Sequence, residues 1–305
     1  MPKHAVYVLD PYHPDAIALL QRTSSVNVVL SDDDRRKRWH ADADALMLRS
    51  ETKITDEDLS TAKKLKVIVK QGVGVDNIDL KTLNSEAVAE LTLGLALCVA
   101  RRVTEIDRRI RNGEAIVRSQ ALGQSLFQKT IGIIGMGHIG KETARKWRGA
   151  MDGKIVSFDP FAPLDAWEDV PHHRAKSLNE ALETSDIVSL HVPLTSSTKD
   201  MIGESEFQRM KSNAILLNCA RGGVVNEDAL CAALSNKGIF GAALDAMDVE
   251  PPTLDAYGDL LRNENVIVTP HIGASTRENQ SKSGIAVVET LLAVLEGKEV
   301  PNRLV

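Results

Sequence analysis

Three absences narrow the sequence before any motif is read. The 305 residues contain only three cysteines, Cys98, Cys219 and Cys231. They show no metal-ligand spacing and no even-numbered framework, which excludes a disulfide scaffold and a cysteine-based metal centre and points to reduced thiols in the cytosol. No apolar run approaches the roughly 20 residues of a membrane span. The opening stretch MPKHAVYVLD lacks the apolar core of a signal peptide. An excess of positive charge is missing too. Lys and Arg number 37 against 42 Asp and Glu, for a net charge of -5. The basic residues form no stripe, which argues against a nucleic-acid partner. The one tight charge run, DDDRRKRWH at 32–40, mixes both signs and reads as a solvated helix face. No internal repeat or low-complexity segment is visible.

What is present is alternation. With 43% apolar and 26% charged residues, the chain is long enough for two globular domains. Strand-like runs AVYVLD, VNVVL, ADALMLR and LKVIVK alternate with polar helical stretches up to about residue 80. A long helical segment follows, with Asn84 as its expected N-cap and Gly113 as its terminator. A second series then runs KTIGIIG, KIVSFDP, DIVSLHVP, NAILLNCA, GAALDAM and NVIVTPH. Near-continuous apolar strands of this kind belong to parallel sheets buried on both faces. Two intervening helices open with capping boxes, Ser177 to Glu180 and Ser275 to Glu278. The expected class is α/β, with two doubly wound parallel-sheet domains. The final helix, from about 276 to 296, is expected to return to the first series.

The motif GMGHIG at 135–140 sits between an apolar strand and a helix, the context in which Gly135, Gly137 and Gly140 acquire a mechanism. Helix N-terminal amides point at an anion, and glycines let a pyrophosphate approach. The next strand ends VSFDP, placing Asp159 nineteen positions after Gly140. A carboxylate there accepts the adenosine ribose hydroxyls and repels a 2′-phosphate, so NAD is expected and NADP disfavoured. His138 reads equally as a phosphate neighbour or an exposed loop residue.

Ligands collect at the carboxyl ends of parallel strands. Arg221 follows AILL, Asp245 and Glu250 follow GAAL, and His271 follows NVIV. An arginine can grip a carboxylate with two prongs, a histidine can pass a proton to a carbonyl oxygen, and an acid can hold that imidazolium charged and oriented. Together they form a set for reducing a 2-oxo acid.

At these motifs the chain resembles the D-isomer-specific 2-hydroxyacid dehydrogenases, through IGIIGMGHIG, LHVPLT, LLNCARGGVVNEDAL, ALDAMDVEPP and TPHIGAST. The resemblance implies an oxidoreductase with Arg221, Glu250 and His271 as its catalytic trio. It places cofactor contacts on Val73, Gly135, Gly137, His138, Ile139, Gly140, Asp159, Val192, Pro193, Thr198, Cys219, Ala220, Asp245, Gly273 and Ala274. It implies a Rossmann NAD-binding domain, 84–273, inserted into a flavodoxin-like substrate domain, 1–83 with 274–305. It also implies a small-molecule substrate, no metal, no membrane and a homodimer through the NAD-binding domain.

Within the family, the N-terminal half is most similar to the phosphoglycerate dehydrogenase branch, in a short form without a regulatory domain. LRSETKIT and VKQGVGVDNID supply Arg49, Ser50, Lys70, Gly72, Val73 and Gly74 as the implied substrate contacts. Arg49 and Lys70 would meet a substrate phosphate, although that branch often has arginine where Lys70 stands. Glyoxylate or hydroxypyruvate reduction is the nearest alternative reading. A second alternative, of another class, is an NAD(H)-sensing corepressor of the same fold. One departure stands out. Where the family has a short helix and a further strand, only Lys81, Thr82 and Leu83 separate GVDNIDL from NSEAVAE. From Asp79 to Asn84 the chain reaches at most ~17 Å.

Overall fold

The structure, a computed structural model, describes residues 3–49, 51–71 and 78–300. The chain forms two compact units, Met1–Leu83 with Ser275–Val305, and Asn84–Ala274. It begins β1 (His4–Val8), α1 (Pro14–Arg22), β2 (Val26–Val29), α2 (Trp39–Asp42), β3 (Ala45–Leu48), α3 (Asp56–Thr61) and β4 (Val67–Lys70). Next come α4 (Ile78–Ala100), α5 (Val103–Arg111), β5 (Thr130–Ile134), α6 (His138–Met151), β6 (Lys154–Phe158) and β7 (His173–Arg174). Then follow α7 (Leu178–Thr184), β8 (Ile187–Leu190), α8 (Glu204–Arg209), β9 (Ile215–Asn218) and α9 (Glu227–Ser235). The series closes with β10 (Gly241–Leu244), α10 (Leu254–Leu261), β11 (Val266–Val268) and α11 (Arg277–Leu295).

Both sheets are parallel and both are covered on two faces, which is why their strands read as apolar runs. In the first unit the order is β2-β1-β3-β4. One face buries Val6, Val8 and Met47 against Ala16 and Leu20 of α1 and Val287, Val288 and Leu291 of α11. The other face packs Tyr7, Leu9 and Leu46 with Trp39. The late helix thus returns to the first sheet. In the second unit the order is β11-β10-β9-β8-β5-β6-β7. Its strands β8, β9 and β10 are buried at every position.

Three local expectations change. Asn84 does not cap α4: the helix starts at Ile78 and runs through it, because no glycine or proline between those positions stops it. The long helical segment is two helices, broken where Arg102 adopts φ 55, and Gly113 at φ 85 ends the second. The N-cap of α11 is Thr276, whose side chain accepts from Asn279 N, in place of Ser275. At α7 the cap is Ser177, which accepts from Glu180 N at 3.2 Å.

Candidate active site

The second sheet reverses its strand order between β5 and β8, the place where open parallel sheets bind ligands. Gly135, just past β5, takes φ +101, a conformation that suits glycine. A Cβ there would strike the His191 carbonyl oxygen beyond β8, so glycine also permits the two loops to touch. Then α6 begins on Gly137 with no side-chain cap and no acid in its first turn. Space is open where a Gly137 Cβ would stand. First-turn amides of a helix lack intrahelical partners, and the dipole favours an anion beside them. Gly140 is buried in α6, where a Cβ would strike Gly135 O; His138 is exposed and Ile139 half-buried.

Asp159 follows β6. Its Oδ2 accepts from Met136 N at 2.9 Å, and its Oδ1 from Phe161 N at 2.9 Å and Ala162 N at 3.2 Å. These bonds fix the carboxylate beside the glycine turn and leave Oδ2 able to accept one further hydroxyl. Past β8, Val192 is half-buried and Pro193 exposed. The Thr198 hydroxyl donates to Pro193 O at 2.6 Å and accepts from Thr195 N at 2.8 Å, closing that loop.

His191 was not singled out in the sequence. Its Nε2 lies 2.8 Å from Ser189 Oγ, and its buried Nδ1 has no partner. Burial pushes its pKa down to about 4, so the ring is neutral at physiological pH.

The next three strand ends carry the remaining groups. After β9, Cys219 and Ala220 are buried. Burial pushes the Cys219 thiol up to about 12 despite a hydrogen bond with Thr92. Arg221 is exposed, with Nη1 donating to Ala220 O at 2.6 Å. Asn218, buried at the end of β9, donates through Nδ2 to Arg221 O and Ala246 O at 3.0 and 3.1 Å. It therefore ties the loop after β9 to the loop after β10.

Asp245, 2% exposed, ties the loop after β10 to the loop after β11. Its Oδ1 accepts from Thr269 Oγ1 at 2.6 Å and Ile272 N at 2.8 Å, and its Oδ2 from Gly273 N at 2.8 Å. Gly273 is buried and Ala274 half-buried.

His271, held at φ 56, brings Nδ1 within 3.1 and 3.0 Å of the two Glu250 carboxylate oxygens. Both side chains remain partly exposed. Arg221, Glu250 and His271 thus follow three adjacent strands, and the acid–histidine pair is formed. Arg49 and Lys70 lie in the first unit, at the ends of the paired strands β3 and β4, where Leu48 is the register partner of Lys70. Arg49 is half-buried, with Nη1 donating to Pro11 O at 3.2 Å, and Lys70 is exposed. Ser50, Gly72, Val73 and Gly74 lie outside the described residues. Among the described residues, no group of His, Cys, Asp and Glu is placed to hold a metal ion, and no helix is long and apolar enough to cross a membrane.

Residues 93–273 match the D-isomer specific 2-hydroxyacid dehydrogenase NAD-binding domain. The chain is 39% identical over 312 residues to a D-3-phosphoglycerate dehydrogenase of Methanocaldococcus jannaschii, covering 97% of this chain but 58% of that one. It is 36% identical to a hydroxypyruvate reductase of Thermotoga maritima, covering 97% of this chain and 99% of that one. The crystal structure of a D-lactate dehydrogenase with NAD+ from Lactobacillus jensenii superposes with a TM-score of 0.77 at 28% identity, over 97% and 98% of the two chains. The cofactor of this domain is NAD. The residues present fit it: an uncapped, acid-free helix N-terminus for the pyrophosphate and a fixed carboxylate for the ribose.

Proposed function

The chain belongs to the D-isomer-specific 2-hydroxyacid dehydrogenase family, and from that premise we propose that it is an NAD-dependent oxidoreductase interconverting a D-2-hydroxy acid and its 2-oxo acid. The observation that carries this reading is the His271–Glu250 pair at 3.0 Å, formed between the loops after β11 and β10. NADH, when bound, supplies the hydride. His271, with Nδ1 engaged by Glu250, gives the proton on Nε2 to the carbonyl oxygen. Glu250 stabilises the imidazolium and fixes its ring. Arg221 uses one N–H on Ala220 O and offers the rest of its planar fork to the substrate carboxylate.

In the same reading the α6 amides and Asp159 hold the cofactor, so residues 84–273 are the NAD-binding domain. Residues 1–83 and 274–305 are the substrate domain. Our best assignment of the substrate is the 3-phosphoglycerate/3-phosphohydroxypyruvate pair, in serine biosynthesis. Two cations at the ends of paired strands, Arg49 and Lys70, support it, as does the likeness to phosphoglycerate dehydrogenases. The hydroxypyruvate reductase of matching length favours unphosphorylated substrates as the second reading. A homodimer through the NAD-binding domain is supported by exposed apolar side chains over 97–127, among them Val103, Ile110, Leu122 and Phe127. Three free cysteines suit the reducing cytoplasm.

Purified protein mixed with NADH or NADPH and 3-phosphohydroxypyruvate, hydroxypyruvate or glyoxylate tests the reading. Oxidation of NADH, faster than of NADPH, is expected with at least one of the three. Binding of NADH without turnover of any would make the protein a sensor.

A further inference from the structure

The loop after β10 has no helix or strand of its own, yet it holds Glu250 within hydrogen-bond distance of His271. Three successive amides of that loop are each taken by a different side chain. Met247 N donates to Glu250 Oε1 at 3.2 Å, Asp248 N to Glu227 Oε1 at 3.0 Å, and Val249 N to the Tyr257 hydroxyl at 2.7 Å. Glu227 opens α9, whereas Tyr257 lies within α10 at a kink in the helix. The Glu227 carboxylate and the Tyr257 hydroxyl thus hold neighbouring amides of one loop. A fourth restraint comes from below. The Met247–Asp248 peptide lies so close to Gly222 that a Cβ there would strike it, so the turn after Arg221 forms the floor of the Glu250 loop.

We propose that Glu227 and Tyr257 are positioning residues for Glu250: through the amides of Asp248 and Val249 they set the loop that aims this carboxylate at His271. The inference rests on the reading that Glu250 acts on His271. The arrangement is costly to keep if it serves packing alone. Glu227 has its pKa raised, first by burial and then by the Asp248 charge. A neutral side chain would fill the same space without placing a second acid beside Asp248. A carboxylate accepting from an amide is a stronger, more directional anchor than a neutral acceptor. Burial keeps the Tyr257 phenol protonated, with its pKa raised to about 12, so the hydroxyl that accepts from Val249 N stays uncharged throughout the working range.

Tyr257→Phe keeps the ring in the core and removes only the hydroxyl. With NADH and hydroxypyruvate, kcat should fall roughly three- to tenfold, as for one lost hydrogen bond. KM for hydroxypyruvate and Kd for NADH should stay within about twofold, because neither Arg221 nor the α6 turn is touched. Glu227→Ala should repeat that loss, and Glu227→Gln, which still accepts from Asp248 N, should recover most of it. Placed in a Glu250→Gln background, Tyr257→Phe should have almost no further effect, since the group it positions has been neutralised. Equal fractional losses in the two backgrounds, or an unchanged kcat in Tyr257→Phe, overturn the inference. A Glu250→Gln protein with wild-type kcat overturns instead the reading on which it rests.

Discussion

Two β–α turns in this chain have the same topology and opposite chemistry. In the first unit the sheet reverses order between β1 and β3, and α1 follows β1; in the second it reverses between β5 and β8, and α6 follows β5. At the first reversal the chain supplies its own anions. Asp10, 3% exposed, accepts from Arg49 N at 2.5 Å and from the amide and hydroxyl of Thr52. The start of α1 has Pro14, which has no N–H, a His13 cap and Asp15 in the first turn. At the second reversal there are glycines, no cap and no acid. Topology makes both places, but only the second leaves its helix N-terminus to a ligand. This explains in physical terms why one of two doubly wound units is the dinucleotide binder.

The sharpest way to break the contrast is to give α6 what α1 already has. Gly137→Asp meets no steric obstacle and places a capping carboxylate at the N-cap. NADH affinity should fall at least about a hundredfold, since charge-assisted hydrogen bonds worth on the order of 1.5–3 kcal/mol each are lost. Thermal stability should hold or rise slightly. Fluorescence titration and thermal melts check both parts, and a Kd within threefold of wild type would refute the explanation.

A smaller effect is expected on the first unit. Lys70→Ala should lower kcat/KM for 3-phosphohydroxypyruvate by roughly ten- to a hundredfold, the loss of one charge-assisted hydrogen bond, and leave hydroxypyruvate nearly unchanged. Equal losses on both would move the assignment to the unphosphorylated reading.

The smallest effect concerns a feature the units share. Asp44 accepts from Ala5 N at 2.9 Å and pairs with Lys66, while Asp186 accepts from Thr130 N at 3.0 Å and pairs with Lys211. Burial raises each pKa, but the amide and ammonium partners outweigh it and the net shift is downward. A lowered folded-state pKa stabilises above the unfolded value of about 4 and is lost as pH falls through the folded one. Asp44→Asn and Asp186→Asn should therefore melt below wild type at pH 7, more so for the less exposed Asp186, and the gap should close towards pH 3. Parallel melting curves with a constant offset would contradict this.

Much of the architecture was legible because burial on both faces writes itself as apolar runs. Ten such runs became ten strands, and the eleventh, β7, spans only His173 and Arg174, too short and too polar to leave a periodic trace. The glycine turn, Asp159, Arg221, Glu250 and His271 could be proposed because each lies in the segment that follows a strand. The ties among them were not. Asn218, Glu227 and Tyr257 act through bonds to backbone groups in other loops, and such bonds have no local spacing to read. Asp245 is expected at the cofactor, and the bonds its carboxylate accepts from Thr269, Ile272 and Gly273 are of the same kind. Asn84 has the chemistry of a cap, but helix-compatible residues precede it and α4 starts at Ile78.

The packing of α11 on the first sheet has a consequence in time. The core of that sheet combines Val6, Val8, Met47 and Val69 with Val287, Val288 and Leu291. Arg277, where α11 begins, stands about 200 residues after Lys70, where β4 ends. At a synthesis rate of roughly 5–20 residues per second, that distance takes on the order of 10–40 s on the ribosome. For that interval one apolar face of β1, β3 and β4 lacks half its cover, while every contact within the second unit becomes available. A nascent chain therefore leaves apolar surface on its earliest strands uncovered until the nineteen residues of α11 emerge.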